Sequence, residues 1–268
     1  MTAPVSPSAA RAAEVWACLA RVTDPELDEP VTELGFVHGV EVAADGVVAI
    51  GFRLPTYWCA ANFAFMMADD MRREVACLPW VRGIRLTLDD HMYADAVNRG
   101  MAGGLSFQAA FGREASDDDL AEVRRTFAVK SFQRRQEALL RRLLDAGHQP
   151  EALLSLTVAS LSALPGDGGA EKLVARYLER RGVAGPASPD APAFVDETGS
   201  PILAVVLPAR LRVLRRVSIN TEFNGALCRG LLAERYGDAT SCGGEPTLLD
   251  FIRRPSRDSA PGDDVVRV

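Results

Sequence analysis

Apolar positions follow two regimes along the chain. Up to Leu88 they switch between helical and period-two spacing; beyond it the pattern is helical almost throughout. Val15, Trp16, Leu19 and Ala20 predict a first helix over Ser8–Val22 that buries these side chains, with Cys18 beside them. Pro25 disfavours a helical conformation at Asp24, so a polar loop follows to Thr32. Phe36–Val42 and Val47–Leu54 predict two strands. Ala44-Asp45-Gly46 joins them, because Asp-Gly supplies the positive φ of a tight turn. Pro55 ends the second strand, since it cannot donate to a ladder. Phe63, Met67, Met71, Val75 and Leu78 then predict a helix, with Thr56 as its N-cap and Cys59 in its first turn. Pro79-Trp80 breaks that helix, and Val81–Leu88 alternates as a third strand. The order of helix, hairpin, helix and strand defines an α+β unit.

From Met92 to Phe111 a helical pattern is interrupted by Gly100, Gly103 and Gly104. Ser116-Asp117-Asp118-Asp119 is a helix start, with a capping hydroxyl and acids in the first turn. Leu120 to Leu144 supports one long helix or two shorter ones, ended by Gly147. Pro150–Leu161, Gly169–Arg180, Pro208–Arg216 and Ala226–Tyr236 are further helices, with Ser218-Ile219-Asn220-Thr221 as a restart before the last. Ile202–Leu207 is either a strand or a buried helical turn. Residues 182–200, rich in Pro, Gly and Ala, read as a linker or loop. The expected architecture is an α+β domain with a three-stranded sheet at 1–90, followed by a mainly helical extension at 91–268.

Composition narrows the function classes. A net charge of −6 argues against nucleic acid as a partner, since phosphate binding leaves a basic footprint. Arg134-Arg135, Arg141-Arg142 and Arg215-Arg216 each sit among acids and read as solvated helix faces. Met1 to Ala13 contains Pro4 and Pro7 and no long apolar stretch, so it reads as neither a secretory signal nor a membrane span. The five cysteines, Cys18, Cys59, Cys77, Cys228 and Cys242, are widely spaced and include no C-x-x-C pair. This fits a reducing cytoplasm and excludes a zinc ribbon built from local pairs. Gly166 to Lys172 lacks the Gly-Lys-Ser/Thr of a phosphate cradle. Neither a nucleophile elbow, a metalloprotease motif nor a dinucleotide fingerprint is present, so a turnover enzyme is not expected.

The candidate chemistry centres on Cys59. A thiolate in the first turn of a helix gains from unpaired N–H groups and the helix dipole. His91, after the third strand in Asp89-Asp90-His91, is the best-placed imidazole; His38 lies mid-strand and His148 in a surface loop. Glu33, fixed at a strand entry by Leu34-Gly35, is an oxygen donor. Tyr57 and Trp58 beside the cysteine either shelter a metal or pack the corner. Cys18 and Cys77 read as buried and inert. Cys228 reads as a core residue or as facing the Cys59 site, and Cys242, in a Gly-rich loop, as redox-sensitive.

The ordered set Asp24-Pro25-Glu26, Glu33-Leu34-Gly35-Phe36-Val37, Gly39-Val40-Glu41-Val42, Asp45-Gly46-Val47 and Thr56 to Cys59 resembles the iron–sulfur cluster assembly domain of SufT- and PaaD-like proteins. The likeness spans about Val15 to Leu88. Its lead-in to the cysteine differs from the family's, and the cysteine-rich tail of PaaD-like members is absent. The resemblance implies a compact α+β fold, one reactive cysteine at Cys59, and an acidic loop carrying Asp24 and Glu33 near it. It also implies transient holding of iron or an iron–sulfur cluster, with Cys59, Glu33 and Asp24 as cluster-binding residues; with the imidazole read from its position, the expected metal ligands are Cys59, His91 and Glu33. The longer layout is similar to maturation proteins that accompany binuclear-iron monooxygenases for propane and other alkanes. The expected partners are a client metalloprotein, such as an oxygenase subunit, and a second copy of the chain. The competing reading is a non-metal adaptor or folding chaperone on the same scaffold.

Overall fold

A computed structural model describes residues 7–112 and 115–237. The N-terminal elements take the predicted order: α1 (Pro7–Leu19), β1 (Val37–Val42), β2 (Val47–Arg53), α2 (Ala61–Ala76) and β3 (Gly83–Asp89). The sheet order is β1-β2-β3, with β1 antiparallel and β3 parallel to β2. The hairpin turns at Gly46, whose φ is +87° and where a Cβ would meet the Trp80 carbonyl at 2.7 Å. The parallel pair needs a crossover, which α2 supplies. Val48, Ile50 and Phe52 alternate inward along β2, and α1 and α2 cover the sheet. On α1 the buried set is Val15, Cys18 and Leu19, while Trp16 and Ala20 face outward. These two lie ~100° around the helix from Val15 and Leu19, so the core face is narrower than their apolarity suggested.

The register of the parallel ladder positions the loops at its end. Arg53 pairs with Asp89, so β2 and β3 stop at the same edge of the sheet. The loop to α2 and the loop to α3 (Ala94–Gly103) therefore leave side by side. Asn98 of α3 clamps the end of β3, accepting from the Leu88 amide at 2.8 Å and donating to the Leu88 carbonyl at 3.1 Å. His38 of β1 reaches Asp89 at 2.7 Å across Gly51, where any Cβ would lie 2.4 Å from the imidazole.

The remaining elements are α4 (Phe107–Phe111), α5 (Asp117–Asp145), α6 (Pro150–Leu154), α7 (Val158–Ser162), α8 (Gly168–Arg181) and α9 (Leu207–Tyr236). Ser116 caps α5 as predicted, accepting from the Asp119 amide at 3.3 Å, and the pattern to Leu144 is one helix. Pro150–Leu161 is two helices, because Thr157 leaves the helical path to bridge Pro192 and to cap α7 through the Ser160 amide at 3.1 Å. Residues 182–200 form a loop with a buried centre: Ala193, Phe194 and Val195 are fully buried. Phe194 stacks on Tyr177, which stacks on Phe132. Arg181 donates to the Pro192 carbonyl at 2.9 Å and to that of Ala193 at 3.1 Å.

The last helix also differs from expectation. Ser218 to Asn224 is mid-helix, because its polar side chains find partners inside the fold. Ser218 donates to Glu137 at 3.2 Å, Thr221 to the Val217 carbonyl at 3.2 Å, and Asn224 to Glu26 at 3.0 Å. The described residues through Arg235 pack as one compact unit. No described helix is long and apolar enough to cross a membrane. Cys242 and the polar stretch 256–268 lie outside the described residues.

Candidate functional site

The loop between α1 and β1 is held by arginines from three helices. Arg135 of α5 forks onto Asp28 at 2.6 and 2.8 Å, with both groups buried. Arg134 donates to the Leu27 carbonyl, and Arg176 of α8 donates to the Asp28 carbonyl at 2.9 Å. Arg229 of α9 meets Glu29 at 2.6 Å. The Arg134-Arg135 pair, expected from the sequence to be a solvated face, is thus an internal clamp; the acids that neutralise it are remote in sequence. Asp28 has φ +51° and Asp90 +48°, a conformation that Asp tolerates better than most residues. Arg235 of α9 holds Asp90, at 2.7 Å to its carbonyl and 2.6 Å to its carboxylate, and reaches the Leu54 carbonyl at 3.3 Å. The end of α9 therefore spans the exits of β2 and β3.

Cys59 lies at this edge, partly exposed. It precedes α2, whose N-cap is Ala60, so it is outside the helical turn predicted for it. Thr56 is not the cap: its hydroxyl lies 3.1 Å from the Cys59 sulfur, placed to donate to a thiolate. His91 is buried and donates from Nε2 to the Cys59 carbonyl at 2.9 Å, while its Nδ1 accepts from the Tyr93 amide at 3.2 Å. Those two bonds fix the neutral tautomer. Burial pushes the imidazole pKa below its ordinary value, the Cys59 carbonyl opposes this, and the Arg235 charge adds to it. His91 thus shapes the cysteine loop, with both ring nitrogens already engaged.

The predicted ligands do not assemble. Glu33 is exposed on a turn. Asp24 is buried and accepts the Glu26 and Leu27 amides at 2.9 and 2.8 Å. Burial pushes its pKa up to about 6 against the pull of those two amides. Among the described residues, no group of three or more His, Cys, Asp or Glu side chains is placed to hold a metal ion. Cys59, His91 and Glu33 are therefore not a ligand set in this arrangement. Tyr57 and Trp58 do not pack into the core, being 48% and 72% exposed. They stand beside Met92 and Tyr93, also exposed, because the Met92 amide donates to the Tyr57 carbonyl at 2.9 Å. Cys18 is buried as expected, whereas Cys77 is exposed at the end of α2.

The sequence leaves Cys228 open, and the structure places it, half-buried, on the inward row of α9. Along α9, Leu207, Leu214, Ser218, Thr221, Gly225 and Leu232 are buried. Cys228 falls in the same row of alternating three- and four-residue steps, which defines one face of a helix. Burial, then the charges of Asp24, Cys59 and Glu26, push its thiol pKa up to about 11. That spacing is present in the sequence, masked by the polar members of the row.

Comparison with known proteins finds matches over the N-terminal part. Residues 12–86 match the family model described as iron–sulfur cluster assembly protein. Among individual proteins, the chain is similar to the iron–sulfur cluster carrier protein of Mycobacterium bovis, 32% identical over 77 residues, covering 29% of this chain and 20% of that protein. It is also similar to the Fe-S protein maturation auxiliary factor of Porphyromonas gingivalis, 34% identical over 70 residues, covering 26% of this chain and 65% of that factor. The chain thus spans about a fifth of the length of the curated carriers it matches. No solved structure matches the chain. These likenesses support the iron–sulfur assembly family for the segment that carries Cys59.

Proposed function

We propose that this chain is a carrier and assembly factor, not a turnover enzyme, that passes iron or an iron–sulfur cluster to a client metalloprotein through Cys59. One observation carries the reading: the segment similar to carriers and maturation factors places a reachable thiol at the shared end of two parallel strands. A hydroxyl touches its sulfur and a buried imidazole fixes its backbone. When the cargo binds, the Cys59 sulfur bonds iron and its proton leaves to water. A sparse ligand set suits this task, because a carrier must release what it holds. The exposed Tyr57, Trp58, Met92 and Tyr93 give an apolar rim for docking the client, so release occurs inside a protein–protein contact. The setting is the cytoplasm, and a binuclear-iron monooxygenase subunit is the client proposed from the longer layout.

Anaerobic reconstitution with iron and sulfide tests the carrier role. Wild type should take up both and donate them to an apo acceptor, while Cys59→Ala should lose most of the bound iron. A second reading, a non-metal adaptor, draws on the same apolar rim and on the missing ligand cluster among the described residues. It wins if Cys59→Ala still matures the client while Trp58→Ala does not.

A further inference from the structure

Between the assembly-type segment and the helical extension lies a cleft of about 240 Å³ lined by arginines. Arg21 stands just past the end of α1, Arg73 on α2, Arg124 on α5 and Arg180 on α8. Against these four guanidinium groups the lining sets two carboxylates, Asp70 and Glu74. The cleft is therefore locally positive in a chain whose net charge is −6. Arg21, Arg73 and Arg124 are already matched, to Glu74 at 2.8 Å, Asp69 at 2.7 Å and Asp70 at 2.6 Å. Arg180 is not. It donates to the Thr23 hydroxyl at 3.4 Å, and its ion-pair contact, with Asp28, is 3.8 Å long. That carboxylate is taken by the Arg135 fork. Among the described residues, the buried Nε of Arg180 has no hydrogen-bond partner. Arg72 and Arg210 also bury an Nε in this way, but each holds a carboxylate, at 2.9 and 2.7 Å. Burial, and then the Arg135 charge, push the Arg180 pKa below its ordinary value. What the cleft lacks is an anion.

We propose that this cleft binds a small organic polycarboxylate, with the Arg180 guanidinium as its principal donor. The planar fork of a guanidinium matches a carboxylate, and an unpaired one in a partly dry site gains most from it. Val22, Pro25 and Phe127 also line the cleft. They offer a carbon skeleton an apolar wall, which phosphate or sulfate would not use. The excess of guanidinium over carboxylate in the lining favours a ligand with more than one negative charge. Arg21 and Arg73 belong to the matched residues 12–86, whereas Arg124 and Arg180 belong to the extension. A bound polycarboxylate thus bridges the two parts and draws α8 toward Thr23 and Pro25 of the α1–β1 loop. The inference goes beyond the carrier reading and does not rest on it, since Cys59 does not line this cleft.

Isothermal titration calorimetry of the full chain tests this, with citrate, succinate or inorganic phosphate added in metal-free chloride buffer at constant ionic strength. Citrate and succinate should bind saturably, and more tightly than phosphate. Arg180→Met keeps the apolar stem and removes the donors. It should weaken citrate binding by about tenfold or more, the weight of one charge-assisted hydrogen bond. Arg216→Met, which removes the same charge from an exposed position on α9, should bind citrate as wild type does, and so should Cys59→Ala. Far-UV circular dichroism checks that the variants are folded. Phenylglyoxal labelling of wild type, mapped by peptide mass spectrometry, needs no variant: citrate should slow the labelling of Arg180. No saturable binding of either carboxylate, phosphate binding as tight as citrate, or unchanged affinity in a folded Arg180→Met protein would overturn the inference. So would labelling of Arg180 that citrate does not slow. None of these results touches the carrier reading, which iron uptake at Cys59 decides.

Discussion

Replacing Arg135 with Met should cost about 3 kcal/mol of stability and loosen the α1–β1 loop. The carboxylate of Asp28 is 2% exposed and accepts both arms of the Arg135 fork, at 2.6 and 2.8 Å. Removing one partner of such a buried pair costs roughly 3–5 kcal/mol, because the other charge stays desolvated. Two facts place the figure at the low end. Arg176 and Arg180 remain near the carboxylate at 3.6 and 3.8 Å, and Met retains the apolar stem of the side chain. Asp28→Asn should cost a similar amount, since Arg135 keeps Glu179 at 2.7 Å and the Arg176 carbonyl at 2.6 Å. The double variant removes the stranded charge and should cost clearly less than the sum of the singles. Urea denaturation of all four proteins gives the cycle. A loss under about 1 kcal/mol for each single variant, or strict additivity, would refute the argument that this fork ties the α1–β1 loop to the helices.

Other consequences are equally concrete. Asp24 has its pKa pushed up to about 6 when folded, against 3.8 as its ordinary value, so its ionisation costs stability as pH rises from about 4 to 6. Asp24→Asn, whose carbonyl still accepts both loop amides, should be more stable than wild type by about 3 kcal/mol at pH 8 and equal to it near pH 4 in thermal or urea unfolding. His91 has the opposite sign: its folded pKa is lowered, so the unfolded chain binds the proton first, and stability falls as pH drops below about 6.5. His91→Ala should remove that acid-side loss and cost about 1–3 kcal/mol at pH 8, where it leaves the Cys59 carbonyl and Tyr93 amide unpaired. Gly35→Ala forces a side chain to φ +72° with Leu232 3.4 Å away. It should cost about 1–2 kcal/mol and raise amide exchange on both sides of that contact.

The N-terminal fold was legible because its cues are local. Asp45-Gly46 specifies the hairpin, alternation specifies β3, and Pro79 ends α2's pattern. The position of Cys59 at the exit of β2, ahead of α2, was legible for the same reason. The start of α2 was misplaced because the Thr56 hydroxyl binds the Cys59 sulfur and not a backbone amide. Helix α9 reads as broken because Ser218, Thr221 and Asn224 look like a restart, whereas they are hydrogen-bonded on its inner face. The loop at 182–200 hides a core residue, Phe194, among prolines and glycines. Arg135 on Asp28 and Arg235 on Asp90 join residues more than a hundred positions apart, which no local pattern announces.

The central claim is that cargo is held through the Cys59 sulfur. Iron and labile sulfide bound per chain after anaerobic reconstitution measure it directly, with wild type and Cys59→Ala in parallel. Substantial uptake by wild type that falls at least tenfold in a folded Cys59→Ala protein is the predicted result. Equal uptake by the two, or none by wild type, would contradict it.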